Sequence, residues 1–157
     1  LAQMVAKRGA AAVIAEGGES GGHIGEANTM ALIPQVADGV DIPVIAAGGI
    51  ADGRGYAAAL MLGAEGIQMG TRFLVAKECN IHPNFKAKVL KAGDTATMVS
   101  GRRLGHPIRS LKTPFSRKFA EMEKDASITD EQLSQFGTGA LRKAVTEGDD
   151  ANGVFMK

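Results

Sequence analysis

The sequence has no tryptophan, one tyrosine and a single cysteine, Cys79, among its 157 residues. A lone cysteine excludes an internal disulfide and is typical of a reducing compartment, so we expect a cytoplasmic protein. No apolar run reaches the ~18 residues that cross a bilayer, and we expect neither a signal peptide nor a membrane partner. These absences argue against a disulfide-stabilised secreted domain and against a membrane protein.

Neither sign of charge is in excess, because 18 Lys and Arg oppose 17 Asp and Glu, which leaves a net charge of +1. The sequence also has no basic block and no interleaving of basic and aromatic residues, so we expect no nucleic-acid partner. A bound phosphate would therefore be held by backbone N–H groups more than by a field of positive charge.

Glycine is abundant, with 21 residues, and it is concentrated after short apolar runs. The apolar run 11–15 suits a buried strand and opens into Glu16-Gly-Gly-Glu-Ser-Gly-Gly-His-Ile-Gly25. Such a loop places bare backbone, two carboxylates and one imidazole where a ligand can lie. Two further strand-to-glycine transitions follow, at residues 43–49 and 66–72.

The apolar pattern alternates between strands and helices over the first 93 residues. It predicts a helix end at 1–8, strands at 10–15, 44–47 and 66–69, helices at 34–40 and 52–62, and helical segments at 73–76 and 80–91. Proline at position 34 is expected in the first turn of its helix, and Asp52 and Gly63 are expected to cap theirs. The alternation predicts an α/β fold with parallel strands.

After residue 94 the pattern changes to a mainly helical one. It predicts a short strand at 97–100 and helices at 115–124, 130–136 and 140–145, the last ending near Gly148. We therefore predict two parts, an α/β part over residues 1–93 and a mainly helical appendage over 94–157 that packs on it.

Two dipeptides, one Gly-Gly and one Gly-Thr, are candidates for a phosphate site. Gly48-Gly49 and Gly70-Thr71 end two consecutive strands, where N–H groups, together with the helix N-terminus opened by Asp52, can hold an anion. The alternative is that the glycines only make tight turns.

The histidines differ in their surroundings. His23, between glycines, is a candidate proton donor, or it only pins its loop. His82 and His106 precede prolines and are expected to be structural or exposed. None has zinc-ligand spacing with Cys79, so we predict no metal site. Glu16 and Glu19 either face a ligand or are solvated.

Three segments resemble the FMN-dependent enoyl-acyl-carrier-protein reductase II proteins of the nitronate monooxygenase (2-nitropropane dioxygenase-like) superfamily. They are Glu19-Ser-Gly-Gly-His-Ile-Gly25, Ile42-Pro-Val-Ile-Ala-Ala-Gly-Gly-Ile-Ala-Asp-Gly53 and Leu62-Gly-Ala-Glu-Gly-Ile-Gln-Met-Gly-Thr-Arg-Phe73. Residues 82–92, 105–109 and 144–149 are similar to the reductase branch as well. The resemblance implies a (βα)8 TIM barrel with FMN at the carboxyl ends of its strands.

The same resemblance implies roles for individual residues and for partners. His23 would be catalytic, and the FMN-binding residues would be Glu16, Gly21, Gly22, Ala47, Gly48, Gly49, Met69, Gly70 and Thr71. NADH or NADPH would reduce the flavin, which would reduce an enoyl thioester linked to acyl carrier protein or coenzyme A in bacterial fatty-acid synthesis. The full-length protein would form a homo-oligomer, a dimer.

The chain is shorter than the ~250 residues of a full barrel. The resemblance therefore implies the C-terminal part of the barrel, with about three of its parallel strands, and predicts that the isolated fragment is inactive. Two alternatives stay open: a nitronate monooxygenase that oxidises alkyl nitronates with O2, and a non-catalytic phosphate-binding half-barrel that recruits a partner chain. Guanosine and inosine monophosphate oxidoreductases share the Ala-Gly-Gly-Ile loop but need a catalytic loop cysteine, whereas Cys79 follows the last predicted strand.

Overall fold

All residues from Leu1 to Lys157 are described by a computed structural model. Its elements in chain order are α1 (Ala2–Lys7), β1 (Val13–Glu16), β2 (Gly22–His23), α2 (Thr29–Ala37), β3 (Val44–Ala47), α3 (Gly53–Met61), β4 (Gly66–Gln68), α4 (Thr71–Leu74), α5 (Pro83–Lys91), β5 (Thr97–Ser100), β6 (Ile108–Leu111), α6 (Pro114–Lys124), α7 (Asp130–Gly137) and α8 (Ala140–Arg142), which continues as a π-helical turn over Lys143–Glu147. None of these helices has the length and apolar character of a membrane span.

The chain divides into two units, and each is described by itself. The first holds residues 1–20 and 24–70, and the second holds residues 21–23 and 71–157. The short strand β2 thus belongs to the second unit, although its neighbours in sequence belong to the first. The predicted division into parts at residue 93 stays a prediction.

The first unit contains a parallel sheet in the order β1-β3-β4. Ala15 pairs with Ala46, and Ala46 pairs with Ile67. This sheet and the helices between its strands confirm the predicted α/β class with about three parallel strands. Because parallel strands end at the same edge, the glycines that follow β1, β3 and β4 lie along one side of the sheet.

Helices α2 and α3 cover the sheet through small and branched apolar side chains. The buried set is Ala15, Ile33, Val44, Ala46, Ala59 and Ala64. Asp52 caps α3 as predicted, and Gly63 follows that helix with a φ of 97°. By contrast, Ile14 on the edge strand β1 is 54% exposed.

The predicted start of α2 was wrong. The helix begins at Thr29 after Asn28, and Pro34 lies inside it instead of in its first turn. Proline there has no N–H to donate to the preceding turn, which disfavours a helix. Complete burial of Ile33 against the sheet outweighs that local preference.

The second unit contains an antiparallel sheet in the order β2-β6-β5. Gly22 pairs with Arg109 and His23 pairs with Ile108, while β5 pairs along the whole other edge of β6. The strand at 97–100 was predicted, and so were α6 and α7 to within one residue, while the helix predicted at 140–145 is the short α8 with the π-helical turn that continues it. Strands β2 and β6 were not predicted.

The C-terminal residues complete this sheet and its core. Leu111 donates its backbone N–H to the carbonyl of Phe155 at 2.7 Å, and Met156 forms a bridge with Ser110. Phe155 is fully buried, and its ring centroid lies 4.9 Å from that of Phe85. Since β5 occupies one edge of β6, the His23 strand and the C-terminal residues share the other.

Candidate functional site

The glycine pair after β3 adopts a backbone conformation that other residues rarely reach. Gly48 and Gly49 have φ values of 97° and 70°, in the left-handed region. A Cβ on Gly48 would lie 2.8 Å from the carbonyl oxygen of Gly17, so the loops after β1 and β3 touch backbone to backbone. Neither the Gly48 N–H nor the Gly49 N–H donates a hydrogen bond to a backbone carbonyl. Both N–H groups can therefore bind a ligand.

A single threonine joins the loops after β1 and β3. Thr29 donates its backbone N–H to the Glu19 carboxylate at 2.9 Å, and its hydroxyl lies 2.8 Å from the same carboxylate and 2.9 Å from the Gly48 carbonyl oxygen. Glu19 therefore holds the first residue of α2, and a carboxylate is favourable at that helix end. Glu19 thus fixes the loop, a role that differs from both predicted alternatives, facing a ligand or being solvated.

The other predicted cofactor residues of the first unit lie along the carboxyl edge of the sheet. Glu16 and Ala47 end β1 and β3, and Met69 follows β4. Glu16 is exposed and accepts a hydrogen bond from the buried Ser20 hydroxyl at 3.0 Å. Ala47 is buried, with 1% exposure. The sheet thus brings these residues to the same edge as the glycine pair.

Gly70 differs from Gly48 in what surrounds it. A Cβ on Gly70 would meet nothing within 4 Å. Its φ lies outside the left-handed region, so no backbone requirement explains a glycine at this position. Gly70 is exposed and follows β4, the strand that neighbours β3, so its open side and the N–H groups of Gly48 and Gly49 lie at the same sheet edge, where a phosphate could be held.

The N-terminus of α3 is already capped by a side chain of its own loop. The Asp52 carboxylate already accepts the N–H groups of Arg54 at 2.9 Å and Gly55 at 3.2 Å. Its hydrogen bond with the Arg54 side chain, followed by these backbone bonds, lowers the pKa of Asp52 to about 2. This carboxylate already accepts two of the N–H groups at the helix end, so we do not assign the phosphate to it, and phosphate binding there stays a prediction.

The Asp52 cap gives a pH-dependent prediction. Replacing Asp52 with alanine is expected to lower the melting temperature by a few degrees at pH 6, since capping carboxylates stabilise helices. Because the folded-state pKa lies below the unfolded value, this stabilisation is complete above pH 4 and is lost as the pH falls towards 2. Thermal melts of both proteins from pH 6 to pH 2 measure it, and a deficit that stays constant down to pH 2 contradicts it.

In the second unit, His23 is exposed and is held by pairing with β6. The preceding Gly22 is buried with a φ of 85°, and a Cβ there would lie 3.3 Å from the Met156 sulfur. A Cβ on Gly21 would meet the backbone of Lys157 at 2.5 Å. The last residues of the chain therefore pack against both glycines before His23. Thr71, the remaining predicted residue, begins α4.

His106 is exposed, in agreement with its prediction as structural or exposed, but it also contacts His23, which the sequence does not predict. Its ring centroid lies 6.2 Å from that of His23, with an interplanar angle of 86°. It also lines a groove of about 700 Å³ between the β5–β6 loop and α7. The remaining histidine, His82, accepts the Asn84 N–H at 3.1 Å and caps α5, as its structural reading predicted. No group of side chains is arranged to hold a metal ion.

Comparisons with known proteins place the chain in a family. A model described as nitronate monooxygenase matches residues 1–157. The chain is similar to FabK from Thermotoga maritima, with 55% identity and a TM-score of 0.94, covering 99% of this chain and 49% of FabK. Over 155 residues it is 39% identical to a probable nitronate monooxygenase of Staphylococcus saprophyticus, covering 92% of this chain and 43% of that protein.

A third relative is named for a coenzyme A thioester. The chain is 52% identical over 112 residues to (3aS,4S,5R,7aS)-5-hydroxy-7a-methyl-1-oxo-octahydro-1H-indene-4-carboxyl-CoA dehydrogenase of Rhodococcus jostii, covering 71% of this chain and 32% of that protein. The chain thus spans less than half the length of each of these three relatives. The match of the family model over the whole chain decides the assignment: this chain belongs to the nitronate monooxygenase family.

Proposed function

We propose that the protein containing this chain is an FMN-dependent reductase of 2-enoyl thioesters that uses NADH or NADPH. The observation that supports it most is the likeness to FabK, an enoyl-acyl-carrier-protein reductase II, over 99% of the chain at 55% identity. The relative at 52% identity, by its name, also acts on a thioester, in that case of coenzyme A. We further propose a cytoplasmic homodimer whose substrate is linked to acyl carrier protein or to coenzyme A.

The residues of the first unit fit a phosphate-bearing cofactor. Gly48 and Gly49 present two N–H groups, and Gly70, after the neighbouring strand, has nothing within 4 Å of an added Cβ. We assign the FMN phosphate to these glycines, with Thr71, next in the chain, supplying a further N–H and a hydroxyl. Glu16, Ala47 and Met69 would border the flavin from the same sheet edge, while flavin contacts of Gly21 and Gly22 are expected from the resemblance alone. When bound, FMN supplies hydride transfer between the nicotinamide and the substrate.

The assigned phosphate site makes a prediction that separates ligand binding from folding. Gly70→Ala is expected to weaken FMN binding at least tenfold without lowering stability, because the added methyl group occupies only open space. Gly48→Ala is expected to cost roughly 1–3 kcal/mol in the free energy of unfolding, through its left-handed backbone. FMN titration by fluorescence quenching and urea unfolding measure the two effects.

A matched control for this site is Gly93→Ala, which also meets nothing within 4 Å but lies after α5. It should change neither FMN affinity nor stability. If Gly70→Ala bound FMN as tightly as the Gly93→Ala control, the space beside Gly70 would not be the phosphate site.

His23 is the group that we assign to proton transfer. Reduction of an enoyl thioester places hydride on the β-carbon and a proton on the α-carbon, and negative charge develops on the thioester oxygen in between. An exposed imidazole in a fixed strand can donate a hydrogen bond to that oxygen or supply the proton. Pairing of His23 with Ile108 supplies the fixed backbone that this role needs.

The second candidate is a nitronate monooxygenase. It is favoured by the family model and by the probable nitronate monooxygenase that is 39% identical over 92% of the chain. In that case His23 would take a proton from a nitroalkane carbon or hydrogen-bond the nitronate, and O2 would be the oxidant. The two candidates therefore share their site residues and differ in substrate.

A direct test uses the purified full-length protein reconstituted with FMN. NADH or NADPH consumption is followed with crotonyl-coenzyme A as substrate, and O2 consumption is followed separately with an alkyl nitronate. The proposal predicts that crotonyl-coenzyme A accelerates nicotinamide oxidation and yields one butyryl thioester per nicotinamide. Nitronate-dependent O2 uptake without thioester reduction would replace it with the second candidate.

A further inference from the structure

We propose that His106 is a positioning residue that holds the His23 imidazole in its working orientation. The inference rests on the proposed function, because it takes His23 as the group that meets the substrate. His106 lies 83 positions further along the chain, and the two rings still meet edge to face. Their centroid separation of 6.2 Å is within the range of favourable aromatic pairs.

The register of the antiparallel sheet places the two rings together. His23 is paired with Ile108, so these two side chains point to the same face of the sheet. His106 lies two residues before Ile108, and residues two apart share a face in extended chain. It is therefore the diagonal neighbour of His23, at a spacing that aromatic side chains can bridge.

The loop that carries His106 is fixed by hydrogen bonds. His106 donates its backbone N–H to the Gly101 carbonyl at 3.1 Å, and its own carbonyl packs on Gly101, where a Cβ would lie 2.5 Å away. Gly101 has a φ of 83°, so both its conformation and its surroundings require glycine. A side chain at position 101 would clash with the His106 carbonyl and displace the His106 backbone.

One carboxylate of α6 anchors the same loop. Glu123 accepts the N–H of Gly101 at 3.0 Å and that of Arg103 at 2.8 Å. The Arg103 guanidinium in turn binds the Asp125 and Ile128 carbonyls at 3.1 and 2.6 Å, and its Nε lies 2.8 Å from Asp130. These hydrogen bonds fix the conformation of the β5–β6 loop. His106 is the side chain of this loop that contacts His23.

Edge-to-face support can be supplied by another aromatic ring, which provides the test. In the full-length, FMN-loaded protein, His106→Ala is expected to slow thioester-dependent re-oxidation of the flavin by roughly 3- to 10-fold, the rate equivalent of one aromatic pair. Reduction by NADH should be unchanged. His106→Phe keeps a ring at this place and is expected to recover most of the lost rate.

An activity-independent readout comes from the His23 ring itself. In protein labelled with 13C-histidine, His106→Ala should change the chemical shifts of the His23 ring because it removes the ring current of the neighbouring side chain. His106→Phe should retain a ring-current shift at His23. Leu104→Ala, in the same loop, is the control and should leave the His23 chemical shifts in place. His23→Gln identifies the signal.

The outcomes are distinct. Unchanged His23 resonances in His106→Ala, or a rate in His106→Phe as low as that in His106→Ala, overturn the positioning role. If the wild-type protein reduces no thioester, the proposed function fails, while the His23 resonances still decide whether the two rings are coupled.

Discussion

Flavin re-oxidation by an enoyl thioester is expected to slow by about 10²- to 10⁴-fold when His23 is replaced with alanine. The expectation follows from the assignment of proton transfer and oxyanion stabilisation to this imidazole, since hydride transfer then produces an uncompensated charge on the thioester. Reduction of the flavin by NADH needs no such group and should change less than about twofold. Anaerobic stopped-flow spectroscopy of the two half-reactions measures both rates separately.

The control for His23 is a substitution at another histidine. His82 caps α5 by accepting the Asn84 N–H, and asparagine is a good capping residue, so His82→Asn preserves the cap. It should leave both half-reactions within about twofold of the wild-type rates. A His23→Ala variant that is re-oxidised by the thioester as fast as His82→Asn would show that His23 has no catalytic role.

The largest expected loss of stability follows from truncating Phe155. Its ring is fully buried against Phe85, and the Lys88 ammonium lies 5.6 Å from its centroid. Phe155→Ala is expected to reduce the free energy of unfolding by about 3–5 kcal/mol, because large-to-small changes in a core leave a cavity. Urea unfolding of the full-length protein followed by fluorescence or circular dichroism measures it.

Phe155→Ala should also destabilise the strand that carries His23. The Phe155 carbonyl and β2 share one edge of β6, so loosening the C-terminal segment should increase amide hydrogen exchange at Gly22 and His23. Leu90→Ala in the neighbouring helix α5 is the control, because that side chain is 72% exposed and should cost less than about 0.5 kcal/mol. Equal stability of the Phe155→Ala and Leu90→Ala variants would contradict the account of this core.

Local signals in the sequence were sufficient for most of the first unit. Asp52 and Gly63 marked the ends of α3, and the short apolar runs marked β3 and β4, because caps and buried strands leave their signature within a few residues. The alternation of these elements then gave the parallel sheet. Such signals also placed Gly48-Gly49 and Gly70-Thr71 at the ends of the strands.

The second sheet could not be predicted from the sequence because its strands are far apart along the chain. Strand β2 has two residues inside a glycine-rich loop, and its partner β6 is separated from it by more than 80 residues. Nothing near His106 in sequence shows that it contacts His23, so the sequence predicts only a structural or exposed residue. The role of Glu19 also depended on a partner, Thr29, whose helix was expected to begin later.

The central claim is that the reduced flavin of this protein passes its electrons to an enoyl thioester. The most direct measurement reduces the full-length, FMN-loaded protein anaerobically with NADH and then mixes it with crotonyl-coenzyme A. The account predicts rapid return of the oxidised flavin absorbance with formation of one butyryl thioester per flavin. A flavin that stays reduced under these conditions, and is re-oxidised only when an alkyl nitronate and O2 are supplied, would contradict it.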